Sequence, residues 1–248
     1  MSPRPTPIFS LVVPTYNESA NIAAFLARIS AVLDARLPGN YEIIVVDDDS
    51  PDLTWDLAAA AARALPSVRI IRRQNEKGLA TAVVAGWQTA RGAWLGVIDA
   101  DLQHPPEVVA KLIDAIEAGA DLAVGSRHVA GGGVSSWSFL RRIISRGAQA
   151  IGLLLLPAAR RIADPMSGLF VVRRDRLDLS TLRPVGYKIL LEVLVRGHVP
   201  RIAEIGYVFE ERSLGSSKAT LKVYWEYLVQ VWTLRKARTP ASRLPPQS

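Results

Sequence analysis

The chain has 248 residues, 49% hydrophobic and 21% charged, with a formal net charge of +7 and no cysteine. This length buries one substantial core, and the composition excludes a disordered chain. Without cysteine there is no disulfide framework, thiolate metal site or cysteine nucleophile.

The charge is unevenly placed: residues 1–126 hold 10 Lys+Arg against 15 Asp+Glu, and residues 127–248 hold 20 against 8. A metal-binding half followed by an anion-binding half would produce this pattern, and so would a plain arginine bias.

The N-terminal MSPRPTPIFS has no basic stretch leading into an apolar run, so no secretory signal is expected. The first half then alternates short β-branched runs with Ala-rich helical stretches. The runs are Ile8–Val13, Tyr41–Val46, Val68–Ile71, Trp94–Ile98 and Leu122–Val124; the helical stretches lie near 20–36, 53–64, 78–90 and 106–118. Continuous apolar strands separated by helices predict an α/β fold, a Rossmann-like, mostly parallel sheet flanked by helices. Ligands of such sheets sit beyond the C-terminal strand ends. Polar clusters directly follow four of the runs: Pro14–Glu18, Asp47–Asp52, Asp99–His104 and Gly125–His128.

Further on, the glycines at 131–133 predict a mobile loop over 128–136. Ser138–Leu156 reads as a helix carrying Arg141, Arg142 and Arg146 on an apolar body, Gly168–Val172 as a strand and Tyr187–Arg196 as a short helix. Lys188 and Glu192 could pair along that helix. Residues 213–217 read as a loop, Ala219–Ala237 as a final helix, and 239–248 as a disordered tail. The final helix spaces Lys222, Glu226 and Gln230 four apart among Trp225, Tyr227, Leu228, Val231 and Trp232, and ends in Arg235, Lys236 and Arg238. Such a helix suits a bilayer interface, or it packs on the core or on another subunit. No run reaches the ~18 apolar residues of a membrane span; the longest, Ile151 to Ala159, is broken by Pro157.

The sharpest chemical feature is Asp99-Ala100-Asp101. Two carboxylates at a strand end can turn toward one hard divalent cation, Mg²⁺ or Mn²⁺, with Gln103 adding an amide oxygen. The competing reading is a helix N-cap ahead of Pro105-Pro106-Glu107. Asp47-Asp48-Asp49 offers acceptors to a ribose or a base, or simply a turn and cap with Ser50-Pro51-Asp52. Neither a G-x-G-x-x-G nor a P-loop motif occurs, which argues against a dinucleotide-binding dehydrogenase and a P-loop NTPase. The three histidines have no zinc spacing. Residues Arg212 to Lys218 read as an anion-binding loop or as a solvated one.

Eight motifs run in order over residues 8–218: VVPTYNE (12–18), VVDDDSPD (45–52), NEKGLATAVVAGW (75–87), DADLQHPPE (99–107), GSRHVAGG (125–132), DPMSGLF (164–170), GYKILLEVLVRG (186–197) and RSLGSSK (212–218). On these the sequence resembles the family 2 glycosyltransferases of the GT-A fold, and among them the dolichol- or polyprenol-phosphate mannose synthases. The resemblance implies a catalytic domain over 1–218 followed by an amphipathic membrane-interface helix over 219–238. It implies that Pro14, Tyr16, Glu18, Val46 and Asp48 contact the nucleoside, with Lys77 and Gly78 on the donor side. Asp99, Asp101 and Gln103 would hold Mg²⁺ or Mn²⁺ and the donor diphosphate, with Ala100 lining the site. Arg127 would reach phosphate, Arg141 or Arg142 with Ser145 would meet the lipid phosphate, and Arg212 and Lys218 would close over the diphosphate. Asp164 is either structural or a base.

The implied activity is inverting transfer of mannose from GDP-mannose to a dolichyl or polyprenyl phosphate. It would take place at the cytoplasmic face of a membrane, to which the protein binds peripherally, with a membrane-anchoring partner subunit as a further possibility and no nucleic acid involved. A donor such as UDP-glucose with the same acceptor is the nearest alternative. A non-catalytic polyanion or membrane binder is the rival of another class; Asp99, Asp101 and Gln103 speak against it, since a polyanion binder gains nothing from clustered carboxylates.

Overall fold

A computed structural model describes residues 6–134, 154–184, 186–210 and 221–236, with side chains in the last segment from Tyr227 onward. Strands β1 (Phe9–Thr15), β2 (Tyr41–Asp47), β3 (Val68–Arg72), β4 (Trp94–Val97) and β5 (Leu122–Ser126) alternate with helices α1 (Ile22–Arg36), α2 (Thr54–Ala62), α3 (Leu79–Thr89) and α4 (Val108–Glu117). Every residue of β1 and β2 is buried, which is why both read as unbroken apolar runs. Each strand matches an expected run: β1, β2, β3 and β5 extend one or two residues further at the polar end, and β4 stops one residue short.

The second half is less regular. β6 (Gly133–Val134) is followed, after a 3₁₀ turn at Pro157–Arg161, by β7 (Phe170–Arg173), helix α5 (Ile189–Arg196), β8 (Ile202–Gly206), β9 (Val208–Phe209) and helix α6 (Leu221–Lys236). The seven-stranded sheet has the order β3-β2-β1-β4-β7-β5-β8. All its pairings are parallel except the two made by β7, which enters antiparallel between β4 and β5. The strand order reverses between β1 and β4, so a crevice opens where their C-terminal ends diverge. This is the mostly parallel GT-A arrangement.

Alternation along the strands splits the core in two. Phe9, Leu11, Val13, Ile43 and Val45 face α1 and α4 through Phe25, Leu26, Ile29, Leu112 and Ile113. Val12, Ile44, Val46, Leu95 and Val97 face α3 and α5 through Val83, Trp87, Ile189, Leu190 and Val193. A third cluster joins α6 to the body: Tyr227, Val231 and Leu234 pack with Leu156, Ala159, Leu191 and Val195.

Four expectations change. Gly133–Val134, expected inside a mobile loop, pairs in parallel with Val208–Phe209. Strands β8 and β9 had no signal strong enough to predict them, because β8 is only half-buried and lacks an apolar run. Lys188 and Glu192 do not pair: Glu192 bonds Arg196 at 2.6 Å, while Lys188 Nζ donates to the Met166 carbonyl at 2.8 Å. The polar stripe of the last helix is not a solvent face at Gln230, which is buried and donates to the Lys188 carbonyl. The Ser138–Leu156 helix is outside the described residues save for its last three positions, as are the 213–217 loop and the 239–248 tail.

Candidate active site

A cleft of about 230 Å³ opens at the C-terminal ends of β1, β2 and β4, lined by Pro14, Thr15, Tyr16, Glu18, Asp48, Leu79, Ala82, Asp99, Ala100 and Asp101. Of the residues expected at the donor site, Pro14, Tyr16, Glu18, Asp48, Asp99, Ala100 and Asp101 meet here. Three segments far apart in sequence converge because parallel strands point their polar ends the same way.

The acidic loop carries the chemistry. Asp101 Oδ1 accepts from the Gln103 N–H at 3.1 Å, and Leu102 between them sits at φ 60°, a left-handed conformation unusual for leucine. Helix α4 begins at Val108 with Glu107 at its N-cap position, so neither aspartate caps it. Asp99 Oδ2 lies 3.6 Å from His104 Nε2. The set is all oxygen, with two carboxylates, and among the described residues no group of three or more His, Asp or Glu could enclose an ion alone. That donor set fits Mg²⁺ or Mn²⁺ completed by substrate phosphate and water. Gln103, expected to lend its amide oxygen to the cation, donates from its amide nitrogen to the Glu210 carbonyl at 3.1 Å, a bond that does not use that oxygen.

On the nucleoside side, the three consecutive aspartates divide their work. Asp47 accepts from Ser50 N and Ser50 Oγ in a turn and from Thr15 Oγ1 on the neighbouring strand. Asp48 lines the cleft and accepts from Arg73 and, at 2.7 Å, from the Gly78 N–H. Asp49 pairs with Arg72. The turn reading holds at Asp47, and Asp48 is the member of the three that reaches the cleft. Lys77 Nζ lies 5.1 Å from the centre of the Tyr16 ring. Val46, also expected at the nucleoside, has its side chain fully buried toward α3, because its strand position faces the inner layer.

Arg127 and Asp164 form a buried, two-pronged ion pair, with Nε to Oδ2 at 2.7 Å and Nη2 to Oδ1 at 2.8 Å, and the Arg127 N–H adds a third bond at 3.0 Å. Burial opposes charge on both, but the bonds between them prevail: the Arg127 guanidinium holds Asp164 below the usual carboxylate range and is itself raised. Asp164 is thus an ionised anchor for Arg127. Burial, with Arg127 nearby, lowers the Lys188 ammonium to about 8. Arg141, Arg142, Ser145, Arg212 and Lys218 lie outside the described residues.

Sequence reasoning missed Arg73, Tyr207 and the buried setting of His104 and Lys188. Nothing in their local patterns marks them, since each has a hydrogen-bond partner at least 22 residues away.

Residues 10–177 match the Glycosyl transferase family 2. A dolichol-phosphate mannosyltransferase of Pyrococcus furiosus is 46% identical over 227 residues, covering 92% of this chain and 63% of that protein. A dolichol-phosphate mannosyltransferase of Saccharomyces cerevisiae is 36% identical over 245 residues, covering 95% of this chain and 90% of that one. Among solved structures, a glucosyl-3-phosphoglycerate synthase of Mycobacterium tuberculosis, in complex with Mn²⁺, UDP-glucose and phosphoglyceric acid, superposes with a TM-score of 0.70 at 21% identity, over 95% of this chain and 82% of that one.

Proposed function

The chain belongs to glycosyl transferase family 2, and from that premise we infer that it transfers mannose, with inversion, from GDP-mannose to a dolichyl or polyprenyl phosphate. The observation that carries this reading is the meeting of Asp99 and Asp101 with Tyr16, Glu18 and Asp48 in one cleft at the switch point of the sheet. Relatives of this chain bear the name dolichol-phosphate mannosyltransferase along nearly its whole length.

The chemistry follows from charge. A lipid phosphate monoester carries its second charge above pH ~6. Its oxygen forms a bond to the anomeric carbon as the bond from that carbon to the diphosphate breaks, so no general base is required. That agrees with an Asp164 committed to Arg127. What remains is to hold two anions together and stabilise the departing GDP. Asp99 and Asp101 would hold Mg²⁺ or Mn²⁺, which neutralises charge on the diphosphate. Tyr16, Glu18 and Asp48 orient the nucleoside. Arg127, Arg212 and Lys218 are assigned to the phosphates, and Arg141, Arg142 and Ser145 to the acceptor. Inversion makes the product β-linked from an α-linked donor.

No described helix is long and apolar enough to cross a membrane, and peripheral contact at the cytoplasmic face is assigned to α6, with or without an anchoring subunit.

The test is a labelled transfer assay on polyprenyl phosphate with GDP-mannose, UDP-glucose and UDP-GlcNAc in parallel, each with and without Mn²⁺. Label should enter the lipid from GDP-mannose alone and need the cation. Asp101→Ala should lower the rate by about 10²–10³-fold or more at an unchanged urea midpoint. Transfer from UDP-glucose would reassign the donor, and full activity of Asp101→Ala would remove the cation from its proposed seat.

A further inference from the structure

We propose that His104 and Tyr207 are positioning residues that set the Asp99 carboxylate for its cation, in a slot that only a glycine at 168 leaves open. This rests on the reading of Asp99 as a metal ligand. His104 is 3% exposed, three residues beyond Asp101, and its ring turns back toward Asp99. Both ring nitrogens have a partner. Nδ1 lies 2.8 Å from the Tyr207 hydroxyl, and Nε2 faces Asp99 Oδ2 at 3.6 Å.

The tautomer follows from the two partners. Nε2 faces an acceptor-only carboxylate, so the imidazole proton belongs on Nε2, and Nδ1 then accepts from the Tyr207 hydroxyl. Burial pushes that phenol well above the ordinary tyrosine range, so it keeps the proton it donates. At 3.6 Å the Nε2–Oδ2 contact is longer than a hydrogen bond, so the ring acts on the carboxylate by charge and by filling the space beside it, without touching the metal.

The ring itself is held from two sides. Phe209 meets it edge-on with centroids 5.1 Å apart, and Tyr207 lies tilted at 5.4 Å. The segment that carries both aromatics is bonded to the acidic loop by Glu210 N–H to the Gln103 carbonyl at 2.9 Å, and to the end of β5 by Tyr207 N–H to the Ser126 carbonyl at 3.1 Å. Opposite the ring, a Cβ on Gly168 would stand 2.9 Å from Asp99 Oδ2 and 3.5 Å from His104 Nε2. Any side chain there displaces the carboxylate. The bland alternative is a histidine that merely fills the core; it would affect stability and leave cation affinity alone.

The test is Mn²⁺ titration of the full chain with GDP present, following the electron paramagnetic resonance signal of unbound Mn²⁺, beside urea unfolding of each variant. Asp99→Ala should abolish tight binding. His104→Phe should weaken it about 10–100-fold, with Tyr207→Phe and Gly168→Ala moving the same way by less. His104→Gln, whose amide N–H can stand in for Nε2–H, should recover most of the affinity. Parental Mn²⁺ affinity in folded His104→Phe, with binding lost in Asp99→Ala, would overturn the proposal and leave the metal assignment standing. Undiminished binding in Asp99→Ala would sink both. Should His104→Phe not fold, Tyr207→Phe decides, since it removes one oxygen and keeps the ring.

Discussion

The two halves of the chain carry opposite charge and use it in opposite ways. In the acidic half, Glu18, Asp48, Asp99 and Asp101 line the cleft, at the polar ends of parallel strands. In the basic half, most of the described arginines are tied to carboxylates and carbonyls of the fold, though Arg201 stays 63% exposed. Arg127 binds Asp164, and Arg176 and Arg201 bind Asp121. Arg173 donates to the Ala120 and Ile116 carbonyls, Arg174 to those of Gly92 and Ala90, and Arg161 to that of Val199. Net charge therefore marks where the described carboxylates gather, while the described arginines are largely taken up by the fold. A long guanidinium reaches carbonyls left over at helix and strand ends.

The largest effect that could break this comparison lies at the buried pair. Asp164 is fully buried and Arg127 has a tenth of its side chain exposed. Asp164→Ala strands a buried guanidinium, and should cost about 3–5 kcal/mol in urea unfolding at pH 7. The folded carboxyl titrates below its unfolded value of ~3.9. Its stabilising contribution is thus complete above that unfolded value and is lost as pH falls through the lower folded one. The gap between parent and variant should narrow as pH falls below the unfolded value of ~3.9. A variant as stable as the parent at pH 7 would show that the tie of Arg127 to the fold is not structural.

How far the sequence was legible follows the same division. The five strands and four helices of the first half could be read because β1, β2, β4 and β5 are buried on both faces and polar segments follow the strands. The seats of Asp48, Asp99 and Asp101 followed from strand ends alone. The second half resisted: β8 has no apolar run, β6 and β9 are two residues long, and β7 enters antiparallel, which no periodicity marks. Motif membership alone does not say which face of a strand a residue such as Val46 takes. The anchoring of Arg127 by Asp164, 37 residues away, was invisible to local pattern.

A smaller effect sharpens the comparison at a cation with no carboxylate bonded to it through any of the contacts described above. Lys188 donates to the Met166 carbonyl and titrates near 8, while an unfolded lysine holds its proton to ~10.4. Between these values the unfolded chain binds more protons, so folding stability rises with pH, by up to about 1.4 kcal/mol per unit from this one group. Lys188→Met should flatten the rise between pH 8 and 10. An unchanged slope would mean that the ammonium is as well solvated in the fold as outside it.

The smallest effect on stability is expected on α6, where inward and outward faces share one helix. Tyr227, Val231 and Leu234 pack on the body, and Gln230 is tied to the Lys188 carbonyl. Leu228 and Trp232 point outward, 41% and 59% exposed, with Lys236 Nζ 3.4 Å from the centre of the Trp232 ring. Removing the whole helix would strip cover from Leu156, Leu191 and Val195 and confuse packing with membrane contact. A single outward substitution separates them. Trp232→Ser should shift the unfolding free energy by no more than about 0.5 kcal/mol, yet reduce co-sedimentation with liposomes containing anionic lipid, because an aromatic ring beside a lysine suits the headgroup layer. If liposome binding holds while stability falls, the ring belongs to the packing of the body, and the outward face of the basic half has no membrane role at this helix.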